Sequence, residues 1–252
     1  MIQIPFAAYN RMGCGRTMRR RLAASLVLIV MGSTAAAVAN DFPYGQTLSF
    51  AIYRNGQEIG QHKLVFQNDG TNRTVTVAVD LSVKAMGVTA YRYVHNSREM
   101  WNGNALQALN SKTDDNGKKF VVRAQRGANG LVVERETAPE TVPAAANDQG
   151  LQRPEIGREV LPANILPTSN WNVGQVGQSV LLNTQYGTQS HATVTTVGRE
   201  PVKTTTGNTI AATRYHYTGD IRMDQWFDDR GRWVKAAFQA FDGSTIEYIL
   251  QE

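Results

Sequence analysis

From Gln46 onward, apolar and polar residues alternate one by one, the period of a half-buried β-strand. Leu48, Phe50 and Ile52 fall on one side of the first such run, and Thr47, Ser49 and Ala51 on the other. Asn55-Gly56 follows, a pair suited to the positive φ angles of a two-residue hairpin. The next run, 59–67, places His62, Leu64 and Phe66 together and ends at Asn68-Asp69-Gly70. A third, 74–82, sets Val75, Val77, Val79 and Leu81 against Thr76, Ala78 and Asp80. The pattern continues over 88–100, 106–111, 119–125 and 131–135, punctuated by Asn102-Gly103, Asn116-Gly117 and Asn129-Gly130. Turn pairs at this spacing predict an antiparallel meander.

Residues 136–167 break the alternation with Pro139, Pro143, Pro154, Pro162 and Pro167 and the alanines 144–146. They read as a long surface excursion with one short helix over 158–166. A segment of this length outside regular structure is functional or mobile. Strands resume at 179–183, 192–197, 210–218, 223–227, 233–241 and 245–250. About a dozen strands in roughly 210 residues cannot lie flat. The expected fold is mainly β: one large antiparallel meander curled into a half-barrel or barrel, a single domain over 40–252 carrying the 136–167 excursion.

The start of the chain has a different grammar. Arg19-Arg20-Arg21 precedes ten apolar residues, 22–31, and Ala37-Val38-Ala39 supplies a small-x-small cleavage pattern before Asn40. Ten residues are too short for a bilayer span, which needs about twenty. Residues 1–39 are therefore expected to be a Sec-type export signal cleaved after Ala39, with Met18 favoured over Met1 as the start. The localisation this implies is periplasmic or secreted, with no transmembrane span in the mature chain. Five of the 26 basic residues lie in 1–39, and the 21 that remain equal the 21 acidic ones. The net charge of +5 thus belongs to the leader, and a nucleic-acid partner is not expected. The only cysteine, Cys14, lies in the same segment, so disulfides, thiol catalysis and thiolate metal sites are excluded from the mature chain.

Candidate chemistry is sparse. The histidines His62, His95, His191 and His216 show no metal-ligand spacing, and no metal or cofactor is expected. His95 and His216 both lie in aromatic strands and could meet across the sheet. No G-x-S-x-G, S-x-x-K or H-E-x-x-H is present, so no catalytic residue is assigned. Asp80, Glu99, Asp114, Asp220 and Asp224 are carboxylates from which nothing selects a pair. Aromatic side chains with polar tips are the better candidates for a ligand site: Tyr91, Tyr93 and His95 on one strand face, Trp101 beyond them, Tyr215 and Tyr217 on another strand, and Trp226 and Trp233. In "DQWFDDRGRWVKAAF" Asp228 fits the first and Gly231 the fourth position of a turn, with Trp226 and Trp233 placed on adjacent strands to pack near each other.

The opening hairpin Y-x-x-G-x-x-I-G (Tyr53, Gly56, Ile59, Gly60), "LPTSNWN" over 166–172, and the late W-F-D-x-x-G-x-x-V hairpin (Trp226, Phe227, Asp228, Gly231, Val234) resemble a family of exported bacterial proteins classed as a domain of unknown function. The resemblance covers most of 46–252 and implies a curved antiparallel sheet, like the half-barrels of periplasmic lipoprotein carriers. It brings no catalytic residues. The expectation is a non-enzymatic periplasmic protein binding a hydrophobic or amphipathic, lipid-like small molecule on a concave β-face. Two other readings stand beside it: a cell-envelope scaffold that docks a protein partner through 136–167, and a hydrolase.

Overall fold

The alternation is realised as strands throughout the computed structural model, which describes residues 42–138 and 155–252. The predicted export signal and the middle of the Pro-rich excursion lie outside the described residues. The first half forms β1 (Thr47–Arg54), β2 (Gln57–Asp69), β3 (Asn72–Ala85), β4 (Val88–Asn102), β5 (Ala105–Asp115), β6 (Lys118–Gly127), β7 (Gly130–Ala138) and β8 (Glu155–Leu161). The second half forms β9 (Leu166–Pro167), β10 (Val180–Leu182), β11 (Gln189–Lys203), β12 (Thr209–Gly219), β13 (Met223–Asp228), β14 (Trp233–Gln239) and β15 (Thr245–Gln251). All belong to one 15-stranded sheet ordered β8-β7-β6-β5-β4-β3-β2-β1-β15-β14-β13-β12-β11-β10-β9. Each neighbouring pair is antiparallel except β9 with β10.

Two expected turns form as anticipated. Asn55 and Gly56 have φ 49° and 81°, and Asn116 and Gly117 have 52° and 96°, the doubly left-handed geometry that matches strand twist. At Asn129-Gly130 the turn sits one residue earlier: Gly127 pairs with Gly130, so Ala128 and Asn129 form its tip.

One face of the sheet is the core. Along β4, Tyr91, Tyr93, His95, Ser97, Glu99 and Trp101 are buried while Arg92, Asn96, Arg98 and Met100 are exposed. Val75, Val77, Val79, Leu81 and Val83 of β3 fill the same inner face. Phe50, Ile52 and Leu64 are fully buried, each worth roughly 1.5–3 kcal/mol of apolar transfer.

The sheet curls without closing. β8 and β11 are first and thirteenth in the strand order, yet Gln189 Nε2 of β11 donates to Glu159 Oε1 of β8 at 2.8 Å. The edge strands β8 and β9 do not pair, so the fold is an open curled meander and not a barrel.

The short helix expected over 158–166 is absent. Glu155–Leu161 is edge strand β8, paired with β7 from Glu155–Thr137 to Leu161–Leu131. Only a 3-10 turn at Val173–Gly177 is helical among the described residues, capped by Asn172, whose side chain accepts from Gly174 N.

Candidate functional site

The inner face of the curl is covered by the chain's own residues 162–188. This segment holds β9, the 3-10 turn and β10, and its backbone pairs with itself and with β11. Its grip on the facing sheet comes largely from side chains. Tyr93 Oη donates to Gln185 Oε1 (3.1 Å), Ser111 Oγ to the Thr184 carbonyl (2.5 Å), and Trp171 Nε1 to Glu99 Oε2 (3.0 Å). Across the curl, Gln225 Nε2 of β13 donates to the Asn170 carbonyl (2.9 Å), and Tyr44 Oη donates to the Trp171 carbonyl.

A polar segment can lie buried here because it satisfies itself. Thr168 Oγ1 accepts from Thr184 N (3.2 Å), and Asn183 Oδ1 accepts from Gln185 N and Tyr186 N (2.9 and 3.0 Å). Thr168–Asn170 and Asn183–Gln185 therefore face each other as two short polar runs between apolar residues, each run buried.

Between cover and sheet is a cavity of about 30 Å³, lined among others by His62, Tyr93, His95, Thr168, Asn183 and Tyr248. That is room for roughly one water molecule. Neither ring nitrogen of His62 has a hydrogen-bond partner, and Ser97 Oγ is also buried without one. His62 is enclosed by Phe50, Trp233 and Tyr248, at centroid distances of 6.1, 5.3 and 5.6 Å. Burial, with a smaller contribution from His95, depresses the His62 pKa to about 3. Burial alone takes His95 to about 4, while its Nδ1 lies 2.8 Å from Thr113 Oγ1. Both imidazoles are neutral at pH 7, so no formal charge from them faces the cavity.

The inner carboxyl is Glu99, fully buried. Its Oε2 accepts from Trp101 Nε1 (2.9 Å) and from Trp171 Nε1 of the cover (3.0 Å). Burial raises its pKa, against lowering by the hydroxyl of Ser169 and the two indoles.

The predicted aromatic residues do not form one site. Tyr91, Tyr93, His95 and Trp101 line the inner face of β4 beneath the cover. Tyr91 donates to Asp115 Oδ1 (2.6 Å), and Trp101 meets Trp171 edge-on at 5.3 Å. Tyr217 is buried beside a second void of about 10 Å³ against Gln225, and half-buried Tyr215 sits edge-on to Phe227. Trp226 and Trp233 do not pack together. Phe227 pairs with Trp233 and Trp226 with Lys235, the register shifting between them, so the two indoles occupy opposite faces. Trp233 packs on Phe50 at 3.9 Å inside, whereas Trp226 donates to Glu200 (2.5 Å) outside, between the cations of Arg214 and Lys235. The turn between them is as expected: Asp228 Oδ1 accepts from Arg230 N and Arg232 N (3.0 and 2.8 Å), and Gly231 has φ 77°.

His95 and His216 do not meet either. His216 is on the outer face, its Nδ1 2.8 Å from Asp224 Oδ1, and the histidine near His95 is His62. Nor do the five carboxylates converge. Asp80 pairs with Arg92, Asp114 with Lys119, Asp220 with His191 and Asp224 with Arg214, and Glu99 stands apart inside. Among the described residues no group of His, Cys, Asp or Glu is placed to hold a metal.

Sequence reasoning did not single out His62, the Glu99 junction or the cover. The available signal was "LPTSNWN" and "LLNTQYG", two uncharged polar clusters framed by apolar residues. Together these features define a class: an open, curled antiparallel sheet whose inner face is sealed by an internal segment over a small polar void. The family model for the domain of unknown function DUF6134 matches residues 50–251, and the chain belongs to that family. No curated protein and no solved structure matches it.

Proposed function

We propose that this is a non-enzymatic, exported binding protein of the cell envelope that takes an amphipathic ligand against the inner face of the curl, with residues 162–188 acting as a lid. The observation carrying this reading is the set of buried polar atoms left without partners beneath that segment: both nitrogens of His62 and Ser97 Oγ. Buried polar groups are normally paired, and leaving one unpaired costs about 1–3 kcal/mol. A ligand that satisfied them would be bound through the same free energy. With both histidines neutral and apolar Val77, Val79 and Tyr248 around them, the matching chemistry is an uncharged polar head on an apolar body. A void of about 30 Å³ admits no acyl chain, so entry requires the segment to swing away from β4 and β5.

The test is native mass spectrometry and lipid extraction of protein purified from the periplasm, with displacement of a fluorescent lipid. A double variant, Ser111→Cys with Thr184→Cys, pins the segment where Ser111 already touches Thr184. Retained lipid is expected in the parent protein, lost on oxidising the variant and regained on reducing it. A clean apo mass with no displacement, or equal uptake by the oxidised variant, would refute the reading.

A second reading, a docking module for an envelope protein, draws on β8. This edge strand pairs only with β7 among the described residues and exposes Ile156 (77 %) and Val160 (51 %). Val160→Lys should then abolish a crosslinked partner without changing lipid retention.

A further inference from the structure

The outer face of β3 to β6 carries a groove of about 340 Å³ bordered by Arg98, Lys112 and Arg123, with Asn96, Asn110 and Thr76 between them. The register explains how these residues come together. Thr76, Arg98, Asn110 and Arg123 are successive cross-strand partners in one row, and Asn96 pairs with Lys112 in the next. Arg98 and Arg123 thus flank Asn110 across two strand spacings, about 10 Å. Lys63 extends the second row through Ala78, which pairs with Asn96.

Several cations cluster here with no carboxylate lining the groove. Carboxylates flanking the patch are already paired: Asp80 with Arg92 at 2.9 Å, Asp114 with Lys119 at 2.6 Å and Glu134, the cross-strand partner of Arg123 at the end of its row, with Arg158 at 3.5 Å. Glu136, the acidic residue in the row of Lys112, is two strands away beyond Val121. Lys63, Arg98, Lys112 and Arg123 have no ion pair among the described residues, although the chain after residue 39 balances 21 cations with 21 anions.

We propose that this groove is a binding site for a phosphate-bearing anion, independent of the lid on the opposite face. Three cations around one hollow exceed what a single carboxylate neutralises and suit a phosphate dianion or a diphosphate. Two guanidinium forks match its oxygens bidentately. The Asn96 and Asn110 amides supply further donors, and no carboxylate lines the groove to repel the ligand. The shared chemistry is the phosphate group, free in solution or carried on a lipid headgroup.

The experiment is calorimetric titration with inorganic pyrophosphate, alongside sedimentation with vesicles of phosphatidylglycerol and of phosphatidylcholine. The variant Arg98→Gln, Lys112→Gln, Arg123→Gln is compared with a charge-matched control, Lys84→Gln, Lys203→Gln, Arg222→Gln. The groove variant should bind at least about tenfold more weakly and the control within about twofold, because charge-assisted contacts are lost only in the first. Saturable pyrophosphate binding with this contrast supports a soluble phosphate ligand. Binding confined to phosphatidylglycerol vesicles, with the same contrast, supports a lipid headgroup. Equal loss in both variants, or no binding by the parent to either probe, overturns the site. Because these side chains are exposed and none has an ion pair among the described residues, Arg222 giving up only a 3.3 Å hydrogen bond to the Gly219 carbonyl, unchanged melting temperatures will confirm that both variants fold.

Discussion

Glu99 joins the cover to the sheet, and its replacement separates two forces that act there. Glu99→Gln keeps a carbonyl oxygen for the indoles of Trp101 and Trp171 but removes the ionisable group. Glu99→Leu removes the acceptor and leaves two buried N–H donors unsatisfied, at about 1–3 kcal/mol each, so roughly 2–6 kcal/mol in total before any apolar gain. The pH dependence follows from the raised pKa. The folded protein holds this proton more tightly than the unfolded chain, whose carboxyl titrates near 4.5. Its contribution is therefore complete below 4.5 and declines as pH rises to the folded value, with a slope of about 1.4 kcal/mol per pH unit. The histidines act in the opposite sense. Their folded values of about 3 and 4 lie below the ordinary 6.5, so unfolding takes up protons in acid and stability falls from pH 6.5 toward 4. Urea denaturation from pH 4 to 9 reads both limbs. Glu99→Gln should lose the declining limb and keep the acid one, so that its advantage over the parent grows with pH. Glu99→Leu should be the less stable variant at every pH. A declining limb that survives in Glu99→Gln, or a Glu99→Leu as stable as Glu99→Gln, would refute the assignment.

Two further substitutions probe the sheet. A Cβ at Gly60 would stand 2.2 Å from the Asp80 carbonyl oxygen and 2.5 Å from Leu81 Cα, both backbone, so Gly60→Ala should destabilise by about 1–3 kcal/mol or more in equilibrium denaturation. Gly56→Ala, which meets no atom within 4 Å, is the control for the opening hairpin and should cost less, through its φ of 81° alone. Trp226→Ala on the outer face should reduce the unfolding free energy by about 3–5 kcal/mol and leave lipid retention per folded molecule unchanged. Reduced retention at equal folded fraction would contradict its outward placement.

Most of the strand content could be read from the sequence because alternation over β2 to β7 is long and each strand has one wet face. Turn chemistry added Asn55, Asn116, Asp228 and Gly231, where a positive φ or a side-chain acceptor is a local requirement. The failures have a common cause, which is that distant pairing decided the outcome. Residues 155–161 have too short a period to separate helix from strand, and pairing with β7 settles it. Trp226 and Trp233 were separated by a register shift that no spacing rule encodes. The polar clusters 168–170 and 183–185 carry no sequence signal of burial, because only their mutual hydrogen bonds make it possible. Glu99 was visible as a carboxylate, but its role depends on Trp171, which is 72 positions away in the chain.

The pairing of β1 with β15, from Ser49–Gln251 to Arg54–Ile246, has a consequence for assembly. Every other contact between consecutive first-half strands up to β7 is a hairpin that can form as soon as its two strands exist. This one must bring together segments roughly 200 residues apart, which adds about 2.7 kcal/mol of closure entropy over a ten-residue hairpin. The first and last strands are also the eighth and ninth in the sheet, so the two ribbons stay separate until the final seven-residue strand arrives. Shortening the chain by that strand would bare both β1 and β14, turning the middle of the sheet into two adhesive rims. Conversely, a short linker joining residues 42 and 252, with new ends opened between β8 and β9, which do not pair, would make this contact local without separating any other paired strands and should speed refolding.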